Sequence, residues 1–101
     1  MLELGGNINL SGFKELDKNE LNIVKKIVGN YGKKFSELSG KFESLNITVK
    51  GVHKTDSSEK KEVHVKIVDN GKAITSEVTD MNLFSALGEA LRKVEDQMSK
   101  S

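Results

Sequence analysis

The sequence predicts an α+β two-layer sandwich, in the order β-α-β-β-β-α, with a four-stranded sheet and both helices on one face. Three observations predict it. A long segment with helical hydrophobic period lies between residues 17 and 39. Three short segments of period-two hydrophobicity follow it, and a second helical segment closes the chain. An element with one apolar face must bury that face against another layer, and two layers are the simplest solution.

The opening segment, Leu2 to Leu10, has apolar residues at Leu2, Leu4, Ile8 and Leu10, the alternation of a strand. Gly5-Gly6 reads as a bulge or a close backbone approach within it. Phe13 and Leu16 fall in the connection that follows. Asp17 is the expected N-cap of the first helix, with Glu20 three residues later completing a capping box. Leu21, Val24, Val28, Tyr31, Phe35 and Leu38 then recur at spacings of three and four, one face of a helix. Gly29 and Gly32 oppose a helix by about 1 kcal/mol each relative to Ala. The unbroken apolar phase through Phe35 nevertheless predicts one helix, with Gly40 as its stop.

Leu45, Ile47 and Val49 alternate with polar residues, as do Val63, Val65 and Ile67, and Ile74, Ser76 and Val78. Each group reads as a strand with one buried face. Asn46, Thr48, Lys50, His64, Lys66, Thr75 and Glu77 belong to the opposite, wet face. The polar run Lys54–Lys61 is read as a long hairpin loop, and Asn70-Gly71 as a type I′ turn. Asp80 is the expected cap of the last helix, whose core face is Leu83, Leu87, Ala90, Leu91, Val94 and Met98. The first helix crosses between two strands, which favours a parallel pair with a right-handed connection. The next three strands form a meander.

At 101 residues the chain suits one domain, 1–101. It has no Cys, so disulfides and thiolate metal sites are excluded. No apolar run is long enough to span a bilayer, and no basic segment precedes an apolar one at the start. The expectation is a cytoplasmic protein with no membrane partner. Sixteen Lys plus Arg against fifteen Asp plus Glu give a net charge of +1, which is not the footprint of a strongly basic nucleic-acid binder. Nucleic-acid binding would have to come from the local distribution of charge.

The last twenty residues carry the most specific signal. Asn82-Leu83-Phe84-Ser85-Ala86-Leu87 resembles the Asp-Met-Tyr-x-Ala-Ile segment of the ribosome hibernation promoting factors, also called ribosome-associated translation inhibitors. Glu89, Lys93, Glu95, Gln97 and Lys100 fall where that family repeats Glu, Lys, Glu, Gln and Lys. The element order resembles the family over the whole chain, the motif over about twenty residues. The resemblance implies a non-catalytic translation inhibitor that occupies the messenger and transfer RNA channel of the small ribosomal subunit. Its partners would be ribosomal RNA and ribosomal proteins, with no cofactor and no small-molecule substrate, and it would be a monomer when free. Lys93 and Lys100 carry over as phosphate contacts. Asp96 stands where the family often has Arg, and Arg92 is a candidate compensation. Phe84 replaces a Tyr and lacks its hydroxyl. Lys25, Lys26, Lys33 and Lys34 occupy the basic region of the first helix. No long C-terminal extension follows, so the resemblance implies the short form.

Each feature also has a plainer reading. The first helical segment holds five lysines against Asp17, Glu20 and Glu37, a net of +2, and such a face is often merely solvated. The segment from Asp80 onward has Arg92, Lys93 and Lys100 against four acids, a net of −1. Glu89 and Lys93 are spaced for an i,i+4 pair worth a few tenths of a kcal/mol. Tyr31 and Phe35 lie in the apolar stripe, which favours core packing over base stacking. Phe84 either faces solvent or closes one end of the core. If the odd positions of the two strands pair, His53 points in and His64 out; a bulge at Gly51 would turn both outward. Even then the site would lack an obvious third ligand, and no metal is expected. No phosphate-binding glycine loop and no nucleophile–base–acid set is present. Two other classes compete: a double-stranded-RNA-binding module, and a protein-interaction domain using the open sheet face or an edge strand.

Overall fold

The computed structural model describes residues 2–3, 7–13, 16–39, 42–54 and 59–100, with side chains at 7–13, 16–38, 42–51 and 60–99. The expected two layers are present. The elements are β1 (Leu2–Glu3), β2 (Ile8–Ser11), α1 (Lys18–Ser39), β3 (Ser44–Lys54), β4 (Glu59–Asp69), β5 (Lys72–Asp80) and α2 (Leu83–Lys100). The sheet runs in chain order from β1 to β5. β2 and β3 are parallel across the α1 crossover, with Leu10 opposite Ile47. The β3–β4 and β4–β5 pairs are antiparallel.

The two layers meet at a single apolar core. β2 to β5 supply Leu10, Leu45, Ile47, Val63, Val65, Ile67 and Val78; α1 supplies Val24, Val28 and Phe35. α2 supplies Ala86, Leu87, Ala90, Leu91, Val94 and Met98. Phe35 also meets Phe42 edge to face, with centroids 6.4 Å apart. Such a geometry suits the positive edge and negative face of aromatic rings. Ser76 interrupts the apolar alternation of β5. Its hydroxyl donates to the Ala90 carbonyl at 2.7 Å, which satisfies a polar group facing the helix.

The capping box forms as expected. The Glu20 backbone N–H donates to Asp17 Oδ1 at 2.8 Å, and the Asp17 N–H donates to Glu20 Oε1 at 3.2 Å. α1 runs unbroken through both glycines. They differ in purpose. A Cβ at Gly32 would lie 3.0 Å from Ile8 Cδ1, so this glycine lets α1 sit close over β2. Gly29 is exposed, with nothing within 4 Å of a Cβ. Gly29→Ala therefore raises stability by about 1 kcal/mol, and Tm by roughly 4–8 °C, in thermal unfolding followed by circular dichroism.

Several local expectations are corrected. The opening segment is two strands, not one with a bulge: Leu2 pairs with Leu10 and Glu3 with Asn9, antiparallel, so the chain reverses between Glu3 and Ile8. Both halves keep the same alternation, which is why period alone merged them. Gly5, Gly6 and Gly40 lie outside the described residues. β3 extends to Lys54 and β4 begins at Glu59, so both ends of the Lys54–Lys61 run are strand, with residues 55–58 outside the description. Backbone pairing, which polar residues can join as well as apolar ones, extends the ladder there. The register shift falls between Val52 and Lys54, not at Gly51, and the His53 side chain is not described.

Leu38, placed on the apolar stripe by spacing, is exposed because it lies in the last turn of α1. Asn82, not Asp80, caps α2. The Ser85 N–H donates to Asn82 Oδ1 at 3.0 Å, and the Ala86 N–H to the Asn82 carbonyl at 3.0 Å. Asp80 ends β5 and accepts from the Asn82 N–H at 3.0 Å, bracing the cap from one step earlier. Asn82→Ala lowers stability by about 1 kcal/mol in chemical denaturation at unchanged m-value. Asn70 and Gly71 take φ of 53° and 78°, as the type I′ turn requires.

Candidate nucleic-acid interface

The helix layer presents the basic residues. On α1, Lys26 and Lys33 are seven residues apart, hence two turns apart on one line. Each is offset by two residues from the buried Val24, Val28 and Phe35, so both stand on the side away from the core, and both are exposed. Lys25 is exposed on another flank. It lies seven residues before Gly32, the position that meets Ile8, so it shares the side of α1 nearest β2.

Lys34 lies on the opposite flank, toward α2. Its Nζ stands 4.8 Å from the centroid of the Tyr31 ring, a cation–π contact. Tyr31, Gly88, Glu89 and Arg92 line one open groove between the helices. The fold thus places Tyr31, which receives Lys34, and Arg92 on one groove, although 58 positions separate Lys34 from Arg92 in sequence. Gly88 has nothing within 4 Å of a Cβ, so the groove is unobstructed there.

Lys93 is exposed on the far side of α2. Four residues on, Gln97 donates from Nε2 to the Thr75 carbonyl of β5 at 3.2 Å, which orients that flank toward the sheet edge. Lys25 and Lys93 therefore flank the helix layer on its two outer sides. Lys100 belongs to α2, and its side chain is not described. Glu89 faces the groove rather than the sheet edge, and among the described residues it forms no ion pair with Lys93.

The arrangement can hold a polyanion along α1, with a focus at the Tyr31 groove. Lys26 and Lys33 offer mobile point charges. Arg92 offers a planar fork suited to bidentate phosphate contact. Glu89 opposes an anion in the groove and leaves the local charge mixed. Phe35 is fully buried, so the core reading holds for it. Tyr31 is half-buried and packs with Phe35 at 5.9 Å, while its ring also receives Lys34 and lines the groove. Spacing assigns it to the core stripe; only the position of α2 shows its outer edge to be part of the surface.

Phe84 closes one end of the core. It packs against buried residues and, with Leu16, Glu20, Lys61, Met81, Asn82 and Leu83, lines a second depression. No described helix is long and apolar enough to cross a membrane.

No family model matches the chain, and no curated protein sequence matches it significantly. Solved structures do. A ribosomal subunit interface protein from Coxiella burnetii superposes with a TM-score of 0.66 at 16% identity, covering 94% of this chain and 96% of that one. The N-terminal domain of Protein Y from Thermus thermophilus superposes with a TM-score of 0.59 at 16% identity, covering 92% and 93%. Each pair of chains is covered over more than nine-tenths of its length while about five aligned residues in six differ, so the likeness is one of fold. This chain has the fold of a ribosomal subunit interface protein and of the Protein Y N-terminal domain, from end to end.

Proposed function

We propose that this protein is a ribosome-binding inhibitor of translation, a hibernation factor. The observation that carries the reading is the end-to-end fold likeness to a ribosomal subunit interface protein, in a chain whose closing helix independently resembles the hibernation factors. The protein docks in the messenger and transfer RNA channel of the small subunit and silences it by occupancy, in the cytoplasm and without catalysis. Lys25, Lys26, Lys33, Lys34, Arg92, Lys93 and Lys100 approach ribosomal RNA phosphates. Few exposed residues here suit base edges, so recognition relies on RNA shape and on ribosomal proteins. The net charge of +1 makes affinity depend on docking geometry rather than bulk attraction.

The test is co-sedimentation on density gradients of lysates from growing and starved cells, at low and moderate salt. The protein travels with small subunits or whole ribosomes, and the bound fraction falls as salt rises. Retention at the top of the gradient in starved cells at low salt refutes ribosome binding. Binding to free RNA duplexes as tight as to ribosomes points instead to a double-stranded-RNA module.

A further inference from the structure

The open sheet face carries a feature unrelated to the basic helices. Glu62 and His64 are two residues apart on β4, so their side chains leave the same face of the strand. Glu77 of β5 lies directly opposite His64 in the antiparallel register. One ligand atom from each of the three falls within 4.8 Å of the others. The histidine uses one nitrogen toward both acids: His64 Nε2 contacts Glu62 Oε1 and stands 4.0 Å from Glu77 Oε1. A single ring nitrogen carries at most one proton, so it can donate to only one of the two carboxylates. A cation between them would meet both carboxylates and the nitrogen lone pair at once.

We propose that Glu62, His64 and Glu77 form a surface site for a divalent transition cation, zinc in the first instance. One imidazole and two carboxylates are ligands that zinc accepts, at about 2.0–2.2 Å each, with water in the fourth position. Tetrahedral ligands at that distance stand about 3.4 Å apart, so the required shifts are small and fall on side chains that can rotate. His64 and Glu77 are 37% and 58% exposed, which gives the cation access and the glutamate freedom to move. Glu62, at 23% exposure, is the more fixed member. Two carboxylates neutralise the dication. Lys50 opposite Glu62 and Lys66 two residues beyond His64 limit affinity by their charge. The site favours zinc over magnesium, because magnesium seeks six oxygen ligands and keeps its waters. Binding couples β4 to β5 through side chains, on the sheet face opposite the helix layer.

The experiment is calorimetric titration of the metal-free full chain with zinc chloride at pH 7.5, with thermal unfolding and NMR in parallel. One zinc per chain binds with micromolar Kd, Tm rises with zinc concentration, and the His64 imidazole signals move first. Glu77→Gln and His64→Gln each weaken binding at least tenfold while circular dichroism stays native; His53→Gln leaves it unchanged. Cobalt at the same site gives the visible absorption of a tetrahedral ion. No saturable zinc binding below 1 mM (an order-of-magnitude limit for a specific site, roughly 4 kcal/mol) overturns the proposal. So does binding that survives both His64→Gln and Glu77→Gln.

Discussion

Replacing Lys26, Lys33, Lys34 and Arg92 together by Glu abolishes co-sedimentation with the ribosome. Each residue is exposed on the helix layer or lines its interhelical groove, so the fold has little to lose. Each phosphate contact releases condensed counterions, and reversing four charges replaces attraction by repulsion. The expected loss of affinity exceeds about 100-fold near 0.1 M salt. The slope of log affinity against log salt flattens by about 0.7–0.9 per contact removed, which separates lost phosphate contacts from misfolding. Arg92→Lys alone gives a smaller loss, because an ammonium keeps the charge without the planar fork. A quadruple variant that still binds ribosomes with an unchanged salt slope would move the interface away from the helix layer.

Gly12→Ala severely destabilises the protein. Gly12 follows β2 with φ of 84°, a conformation that L side chains rarely adopt. A Cβ there would stand 2.1 Å from the Val49 carbonyl oxygen, which is backbone of the neighbouring β3 and held by its pairing with β4. Relief therefore requires moving the strand that carries Leu45 and Ile47 into the core. The two penalties together are about 3–5 kcal/mol, a large share of the stability of a small domain. Tm falls by more than about 10 °C. Thermal unfolding checks this, and a fall under 2 °C would mean that the chain leaves β2 by another route.

Different elements were legible to different depths. α1 and α2 were evident because a helix buries one stripe and leaves it at regular spacing in the chain. The Asp17–Glu20 box and the Asn70-Gly71 turn were evident because each is a local hydrogen-bonding or dihedral requirement met by adjacent residues. The split between β1 and β2 was not, because both strands of a hairpin can share one alternation. Nor was the outer half of the β3–β4 hairpin, since backbone hydrogen bonds leave no apolar trace. At the head of α2, Asp80 and Asn82 are both good caps; the end of β5 decided between them.

The candidate sites divide in the same way. That Lys26 and Lys33 face away from the core follows from their phase against Val24, Val28 and Phe35. That Glu77 lies opposite His64 follows from the two-residue turn, which sets the hairpin register. The histidines alone do not point to the cluster, because Glu77 reaches His64 from the neighbouring strand. By itself the sequence determined the β-α-β-β-β-α order apart from the split of the opening segment, and most of the buried face of each element, because these depend on periodicity and near neighbours. Only the tertiary structure decided that Tyr31 and Arg92 line one groove, that Lys25 and Lys93 stand on opposite flanks, and that Gly12 lies under the Val49 carbonyl. Those facts depend on how layers pack at ångström distances, and packing joins residues far apart in the chain through contacts that no local pattern encodes.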